Sequence, residues 1–244
     1  MTREFHGVAI DAGSGLAASL KAARGSDAED DDLLAFKRAI LEELSPFAST
    51  VLVDAALGRD LIGGYADGCA KMMAFEADVY HISDEDRITV LPEGLEVSDL
   101  PSMGVELLKF FMYYAPDDDP ELNAQKQELV ADIGRRCRAS GVQYLMEPLV
   151  YSRAVSAGSE AYARQKPDLV RAATATFADT RFGADVLKVE IPVDLDFVEG
   201  FGEPLMSREE ALGAFRVCAD AAQGIDLVYL SAGATLDRFE PPLN

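Results

Sequence analysis

The sequence predicts an α/β fold of the (β/α)8-barrel type, and two observations lead to this prediction. Short apolar runs alternate with longer amphipathic ones along the 244 residues, which is typical of a parallel sheet covered by helices. Polar residues also recur at nearly constant spacing near the ends of the later apolar runs, at Lys109, Glu147, Lys188 and Ser231. Because functional groups in such a barrel come from the carboxyl ends of several strands, this spacing favours a barrel over an open sheet.

The apolar runs are rich in aliphatic and aromatic residues and are short enough to be strands. They predict seven strands, at 7–11, 50–54, 71–76, 105–113, 143–149, 186–191 and 226–230. The first strand is followed by Asp11-Ala-Gly-Ser-Gly15, which lacks the Gly-x-Gly-x-x-Gly spacing of a dinucleotide-binding sheet and is interpreted as a tight turn. Seven strands are one fewer than a closed (β/α)8 barrel requires.

The amphipathic stretches predict helices at 31–45, 120–139, 166–178 and 208–222. Two acidic runs, 27–32 and 117–119, directly precede helices, where carboxylates stabilise the helix N-terminus. Asp119 followed by Pro120 is predicted as an N-cap and the first helical residue, and this capping interpretation is favoured over a metal site. Ser207-Arg-Glu-Glu210 predicts a capping box. Since no Pro-, Gly- or Ser-rich linker divides the chain, a single domain over residues 1–244 is predicted.

Composition excludes several classes of function. The net charge of −21 is spread along the chain, so no basic face is available to bind nucleic acid. No apolar run is long enough to span a membrane, and the first residues do not have the pattern of a signal peptide, so a cytoplasmic protein without membrane partners is expected. Cys69, Cys137 and Cys218 are widely spaced and predict buried thiols. His6 and His81 lie far apart, and no metal or other cofactor is expected.

Lys188 is the most informative single residue. It lies in the strand candidate 186–191, whose other face carries only Leu187, Val189 and Ile191. Burial of a lysine disfavours its charged form and leaves an amine that can attack a carbonyl group to form a Schiff base. The alternative is that Lys188 lies on an exposed strand face or forms an ion pair with a neighbouring carboxylate.

Lys109 and Glu147 lie near the ends of the two preceding strand candidates and strengthen the catalytic interpretation of Lys188. A second cation near a lysine favours the neutral amine, and a carboxylate in the same pocket can transfer a proton. Singly, each of these residues is as compatible with a structural role as with a catalytic one. Together, a neutral amine, a cation and a carboxylate are the groups that a metal-free aldolase requires.

The chain resembles the class I tagatose 1,6-bisphosphate aldolase family, which also contains sulfofructose-phosphate aldolases. The similarity runs in family order over most of the chain, and the Asp-Val-Leu-Lys-Val-Glu segment at 185–190 is its most specific part. The other similar segments are 51–54, 107–114, 123–126, 145–151, 181–193, 198–201 and 229–233.

The resemblance implies a class I aldolase that cleaves a phosphorylated ketose, such as tagatose 1,6-bisphosphate, into dihydroxyacetone phosphate and an aldehyde. It implies that Lys188 forms the imine and Glu147 is the acid/base, with Lys109 and Asp11 as electrostatic partners of the imine. Asp54 and the Ser231-Ala232-Gly233 segment are expected to bind the substrate and its phosphate. A sulfonated ketose phosphate, or a non-catalytic role in binding sugar phosphates, remains the alternative.

Two features depart from the family. Asp11 is followed by Ala12-Gly13, where the resemblance implies that the family usually has Gln-Arg in contact with a substrate anion, so a different substrate is expected. The family also has an eighth strand, whereas this chain ends at Asn244. This position of the last residue is compatible with three explanations: a fragment of a longer protein, a barrel completed by a partner, or a diverged, inactive protein. Open edge strands would favour a homo-oligomer.

Overall fold

The computed structural model describes residues 5–78, 82, 83, 85–231 and 239. By its contacts the chain forms two compact units. The first comprises Met1–Phe111 and Ile133–Tyr144, and the second comprises Met112–Asp132 and Leu145–Asn244. A single domain over the whole chain therefore stays a prediction.

The strands of the described residues form one seven-stranded sheet. The strands are β1 (Gly7–Ala9), β2 (Thr50–Val53), β3 (Ala70–Ala74), β4 (Leu107–Tyr114), β5 (Gln143–Val150), β6 (Val186–Glu190) and β7 (Asp226–Leu230). Each strand neighbours the next one along the chain, and the pairs β1–β2, β2–β3, β3–β4, β5–β6 and β6–β7 are parallel. This sequential parallel order is that of a (β/α)8 barrel, so the predicted fold class is confirmed.

Helices connect most of the strands, and all four predicted helices are present. The helices are α1 (Ser14–Arg24), α2 (Asp30–Leu44), α3 (Gly58–Leu61), α4 (Pro120–Ser140), α5 (Glu160–Phe177) and α6 (Arg208–Ala221). The predicted ones are α2, α4, α5 and α6. Helix α5 begins six residues earlier than predicted and contains Pro167. Short 3-10 segments lie at Ser45–Phe47, Ile62–Gly64, Val97–Met103 and Leu195–Phe197. Among the described residues, no helix combines the length and the apolar character needed to cross a membrane.

Helix α1 was not predicted, because residues 11–15 were interpreted as a tight turn. The helix begins inside that segment, at Ser14. The backbone N–H of Ser14 donates a hydrogen bond to Asp78 Oδ2 over 2.7 Å, and its hydroxyl donates to the same oxygen over 2.5 Å. This partner lies 64 residues away in the sequence. The helix start therefore depends on a tertiary contact that local sequence patterns do not contain.

Local capping signals were predicted correctly. Asp119 Oδ1 accepts hydrogen bonds from the backbone N–H groups of Glu121 and Leu122, over 2.9 and 3.0 Å, and α4 begins at Pro120. Ser207 and Glu210 form a capping box at the start of α6. These bonds satisfy backbone donors that the first turn of a helix leaves without a partner. Both acidic runs thus lie at helix N-termini, as the capping interpretation requires.

The buried side chains follow the pattern that the sequence predicts. In the first unit, Val51, Val53 and Leu108 are buried in strands β2 and β4. In the second unit, Leu187 and Val189 of β6 are buried, whereas Val186, Lys188 and Glu190 on the other face of β6 are only half-buried. All three cysteines are buried, as predicted. The fold therefore turns a two-residue alternation in the sequence into one packed face and one accessible face of β6.

Candidate active site

Lys188 and Glu147 form an ion pair in the second unit. The register between β5 and β6 aligns Leu145 with Val186 and Met146 with Leu187, so the next step along both strands places Glu147 opposite Lys188. The Lys188 Nζ to Glu147 Oε1 distance is 2.9 Å, and the two side chains are 16% and 6% exposed. The strand register alone thus brings together the predicted imine-forming amine and the predicted acid/base.

The surroundings of this pair explain why a lysine is tolerated on β6. Its neighbours Leu187 and Val189 point into the apolar packing, which fixes the strand and directs Lys188 to the opposite face. There the carboxylate of Glu147 balances the ammonium charge, which an interior of low dielectric constant would otherwise disfavour. The contact is compatible with a structural ion pair and with a nucleophile whose proton can move to an adjacent base.

Glu190 lies on the same face of β6, two residues beyond Lys188, and is not among the site residues predicted from the sequence. Its side chain is 12% exposed, and its Oε1 atom lies 3.8 Å from Lys166 Nζ of helix α5. Its Oε2 atom accepts a hydrogen bond from the backbone N–H of Val150 over 2.8 Å. Burial raises the pKa of Glu190, and the negative charge of Glu147 raises it further, while Lys166 and the Val150 hydrogen bond oppose the increase. Burial is thus the main influence on the pKa of Glu190, and the charge of Glu147 is a smaller one.

Lys109 is the centre of a second cluster, in the first unit. Its Nζ atom lies 3.0 Å from Asp11 Oδ2 and forms a shorter ion pair with Glu76 Oε1. Lys109 and Glu76 are each 4% exposed, and Asp11, just after β1, is 20% exposed. Glu76 Oε2 also accepts a long hydrogen bond from the Phe111 backbone over 3.4 Å. The structure thus joins Lys109 to Asp11 and to Glu76, a buried carboxylate that was not predicted as a site residue. The role of Lys109 and Asp11 as electrostatic partners of the imine stays a prediction.

Asp54 follows β2 and belongs to a different ion pair of the first unit. Its Oδ2 atom contacts Nζ of Lys37, a fully buried lysine of α2, and its Oδ1 atom accepts a hydrogen bond from the backbone N–H of Leu57 over 2.8 Å. Both oxygens therefore have protein partners. The substrate-binding role of Asp54 stays a prediction, and Lys37 was not selected from the sequence.

Gly13 occupies one of the two positions at which the chain departs from the family pattern. A Cβ atom at this residue would lie 2.6 Å from Asp78 Oδ2, the oxygen that accepts both hydrogen bonds of Ser14. A contact this close requires either a glycine or a shift of Asp78. The place of a side chain at position 13 is thus taken by the carboxylate of Asp78.

A hydrogen-bonded network adjoins the carboxyl end of β5 in the second unit. Lys126 is fully buried, and its Nζ atom donates to the Tyr151 hydroxyl over 3.0 Å. The Tyr151 hydroxyl donates in turn to Asp118 Oδ2, while Asp118 Oδ1 accepts from Arg153 Nε over 2.8 Å. The hydrogen bond from Arg153 is the main reason why the pKa of Asp118 lies well below its usual range. This network holds the loop before α4 to the loop after β5.

Within each unit, the structure pairs most of the predicted site residues with a charged partner. Lys188 with Glu147 and Lys109 with Asp11 each form a direct contact, and Asp54 pairs with Lys37 instead. Ser231 follows β7 and is exposed, whereas Ala232 and Gly233 lie outside the described residues. Among the residues that the structure describes, no group of three or more His, Cys, Asp or Glu side chains is placed to hold a metal ion.

Comparison with known proteins identifies the family. The family model described as DeoC/LacD family aldolase matches residues 6–241. The chain belongs to this family. It is 34% identical over 235 residues to a tagatose 1,6-diphosphate aldolase of Listeria monocytogenes serotype 4b, a match that covers 95% of this chain and 69% of the relative. As a member of an aldolase family, the chain is a carbon–carbon lyase.

Solved structures confirm the fold. A fructose-bisphosphate aldolase from Slackia heliotrinireducens aligns with a TM-score of 0.63 at 14% identity, over 94% of this chain and 66% of that chain. A Schiff base forming fructose-1,6-bisphosphate aldolase aligns with a TM-score of 0.54 at 15% identity, over 93% of this chain and 86% of that chain. At these identities the likeness concerns the TIM-barrel fold.

Proposed function

We propose that the protein is a class I aldolase that cleaves a phosphorylated ketose, such as tagatose 1,6-bisphosphate, with Lys188 as the imine-forming residue and Glu147 as the acid/base. The observation that carries this proposal is the 2.9 Å contact between Lys188 Nζ and Glu147 Oε1 at a largely buried position. A proton can pass directly between the two groups at this distance. The similarity to tagatose 1,6-diphosphate aldolases supports the choice of substrate class.

The proposed reaction begins when the neutral amine of Lys188 attacks the C2 carbonyl of the ketose. Loss of water from the resulting carbinolamine gives an iminium ion, which can accept an electron pair. Glu147 then removes the proton of the C4 hydroxyl, the C3–C4 bond breaks, and its electrons form an enamine while the C4 fragment leaves as an aldehyde. Protonation of the enamine at C3 and hydrolysis of the imine release dihydroxyacetone phosphate and restore Lys188.

The remaining roles are proposals of the same kind. Lys109 and Asp11 are proposed as electrostatic partners of the imine. Asp54, Ser231, Ala232 and Gly233 are proposed to bind the substrate and its phosphate. The carboxylate of Asp78 at the Gly13 position supports a substrate without an anion at that point. A cytoplasmic location and a homo-oligomeric state also belong to the proposal.

Reductive trapping tests the proposal. The protein is incubated with tagatose 1,6-bisphosphate and, in parallel, with a sulfonated ketose phosphate, then reduced with borohydride and digested for mass spectrometry. We expect an adduct on Lys188, none in Lys188→Ala, and an unchanged adduct in Lys71→Ala, which changes a half-buried lysine of β3. Glu147→Gln should still form the adduct but lose at least about a hundredfold in cleavage rate. An adduct on another lysine, or none with either ketose, would overturn the proposal.

A further inference from the structure

Glu76 is a buried carboxylate that the proposed reaction does not use. It lies just after strand β3, and its side chain is 4% exposed. Its Oε1 atom forms an ion pair with Nζ of Lys109, which is buried to the same extent. A carboxylate is rarely buried this deeply unless a charged or hydrogen-bonding partner compensates for the loss of water. The burial of Glu76 is therefore tied to Lys109.

The register of two neighbouring strands brings Glu76 to Lys109. Strands β3 and β4 are paired so that Ala74 lies opposite Lys109. The backbone N–H of Phe75 donates to the carbonyl oxygen of Lys109 over 2.8 Å, which extends the pairing by one residue. Because side chains alternate along an extended chain, Glu76 lies on the same side of the sheet as Ala74 and Lys109. The contact between the two side chains is thus set by the backbone of the sheet.

The two carboxylates that contact Lys109 are held differently. Glu76 Oε2 accepts a hydrogen bond of 3.4 Å from the backbone N–H of Phe111, so strand β4 contacts both oxygens of Glu76. Asp11 follows β1, is 20% exposed, and its Oδ2 atom lies 3.0 Å from Lys109 Nζ. Glu76 is therefore the fixed partner of Lys109, and Asp11 is the more accessible one.

We propose that Glu76 is a positioning residue that holds Lys109 in place for the proposed reaction and balances its charge. This inference rests on the proposed role of Lys109 as an electrostatic partner of the imine. A buried ammonium group without a carboxylate partner is strongly disfavoured. Because Glu76 supplies that carboxylate, Lys109 can exchange its contact with Asp11 for a contact with the substrate. Glu76 thus acts on the reaction through Lys109.

A double-mutant cycle of cleavage rates tests this role. Glu76→Gln nearly keeps the shape of the side chain, removes its charge and leaves Asp11 as a partner of Lys109. The single-turnover rate of ketose cleavage should fall by about 10–100-fold, because a misplacement of about 1 Å can cost about a hundredfold. In protein that already carries Lys109→Met, Glu76→Gln should change the rate by less than about twofold, since the residue through which Glu76 acts is absent.

The cycle distinguishes positioning from a purely structural role. Each variant is first shown to be folded by circular dichroism. Glu43→Gln makes the same change of charge at an exposed residue of α2 and should leave the rate unchanged. A structural role would give Glu76→Gln the same factor with and without Lys109, and that result would overturn the proposal. An unchanged rate in Glu76→Gln would overturn it as well.

A measurement without substrate separates this inference from the proposed function. In protein with 15N-labelled lysine, the Nζ signal of Lys109 is assigned with Lys109→Met and observed by NMR at mildly acidic pH. Buried groups that are held by hydrogen bonds exchange their hydrogens slowly with water. We expect the Lys109 signal in wild type and in Asp11→Asn, and its loss through exchange in Glu76→Gln. The signal of Lys37, which is fully buried, should remain in all three proteins.

The NMR outcomes decide the two proposals separately. A Lys109 signal that is missing from wild type, or that persists in Glu76→Gln, would overturn the positioning role of Glu76. Loss of the signal in Glu76→Gln while no ketose is trapped on Lys188 would support the anchoring of Lys109 and overturn the proposed function.

Discussion

Replacing Lys109 by methionine removes the cation from the cluster of the first unit. Methionine has nearly the length of the lysine stem, so the change removes charge with little change in packing. It leaves Glu76, which is 4% exposed, and Asp11, which is 20% exposed, without the ammonium group that both contact. The perturbation therefore tests whether this cluster is held together by its charges.

The expected loss follows from the burial of the two carboxylates. Removing one member of a buried ion pair costs about 3–5 kcal/mol, because the remaining charge is left in a poorly solvated position. Glu76 is buried enough to incur this cost, whereas the more exposed Asp11 adds less. We therefore expect the free energy of unfolding to fall by about 3–5 kcal/mol. With a typical urea slope of about 2–3 kcal/mol per molar, the unfolding midpoint should fall by about 1–2.5 M.

Urea unfolding followed by circular dichroism measures this loss. Lys71→Met provides a control, since Lys71 is half-buried on β3 and contacts the ring of Tyr65 at 5.9 Å from Nζ to the centroid. We expect that control to lose less than about 1 kcal/mol. The double variant Glu76→Gln with Lys109→Met should recover about 2 kcal/mol, because the uncompensated buried charge is gone.

Two results would refute the reasoning. One is a loss in Lys109→Met no larger than in the Lys71→Met control, which would mean that the buried carboxylates tolerate the loss of their cation. The other is a double variant no more stable than Lys109→Met, which would place the damage in packing rather than in charge.

Two further predictions concern the network at the end of β5. Tyr151→Phe should lower the free energy of unfolding by about 2–3 kcal/mol in urea titrations, because the fully buried Lys126 loses an acceptor and Asp118 loses a donor; a loss below about 1 kcal/mol would contradict this. Asp118→Asn should reveal a pH dependence, since Arg153 holds the pKa of Asp118 well below its usual range. The stabilisation that ionised Asp118 provides is fully present above a pKa of about 3.9, the value in the unfolded chain. It is lost as the pH falls through the lower pKa of Asp118 in the folded protein. The difference in the free energy of unfolding between wild type and Asp118→Asn should therefore be about 1–2 kcal/mol at pH 7 and become smaller below about pH 3. A difference that does not change with pH would contradict this prediction.

The sequence was sufficient to predict the strands because the pattern that indicates a strand is local. Strand β7 was predicted with its observed bounds, Asp226–Leu230, and α4 to within one residue. Periodic burial and helix capping depend on residues only a few positions apart, so their signals can be recognised in a single sequence. Helix α5 shows the limit of such signals, because its first turn is fixed by Ser159 and by the burial of Tyr162, and it continues through Pro167.

The partners of the site residues could not be predicted in the same way. The sequence selected Lys109 and Lys188, but it did not show that Glu76 would join Lys109 or that Lys166 and Val150 would hold Glu190. Ion pairs between distant segments leave no periodic pattern. An acidic residue near a strand end has the same appearance in the sequence whether it faces a lysine or solvent.

The sequence by itself determined the alternation of strands and helices, the face of β6 on which Lys188 lies and the presence of Glu147 on the preceding strand. These follow from side-chain periodicity along one segment. The tertiary structure decided that Lys188 Nζ lies 2.9 Å from Glu147, that Lys109 contacts Asp11 98 residues away, and that Asp78 fills the space beside Gly13. Strand register and chain packing bring such groups together, and their energies depend on distance and burial, which only the folded chain defines.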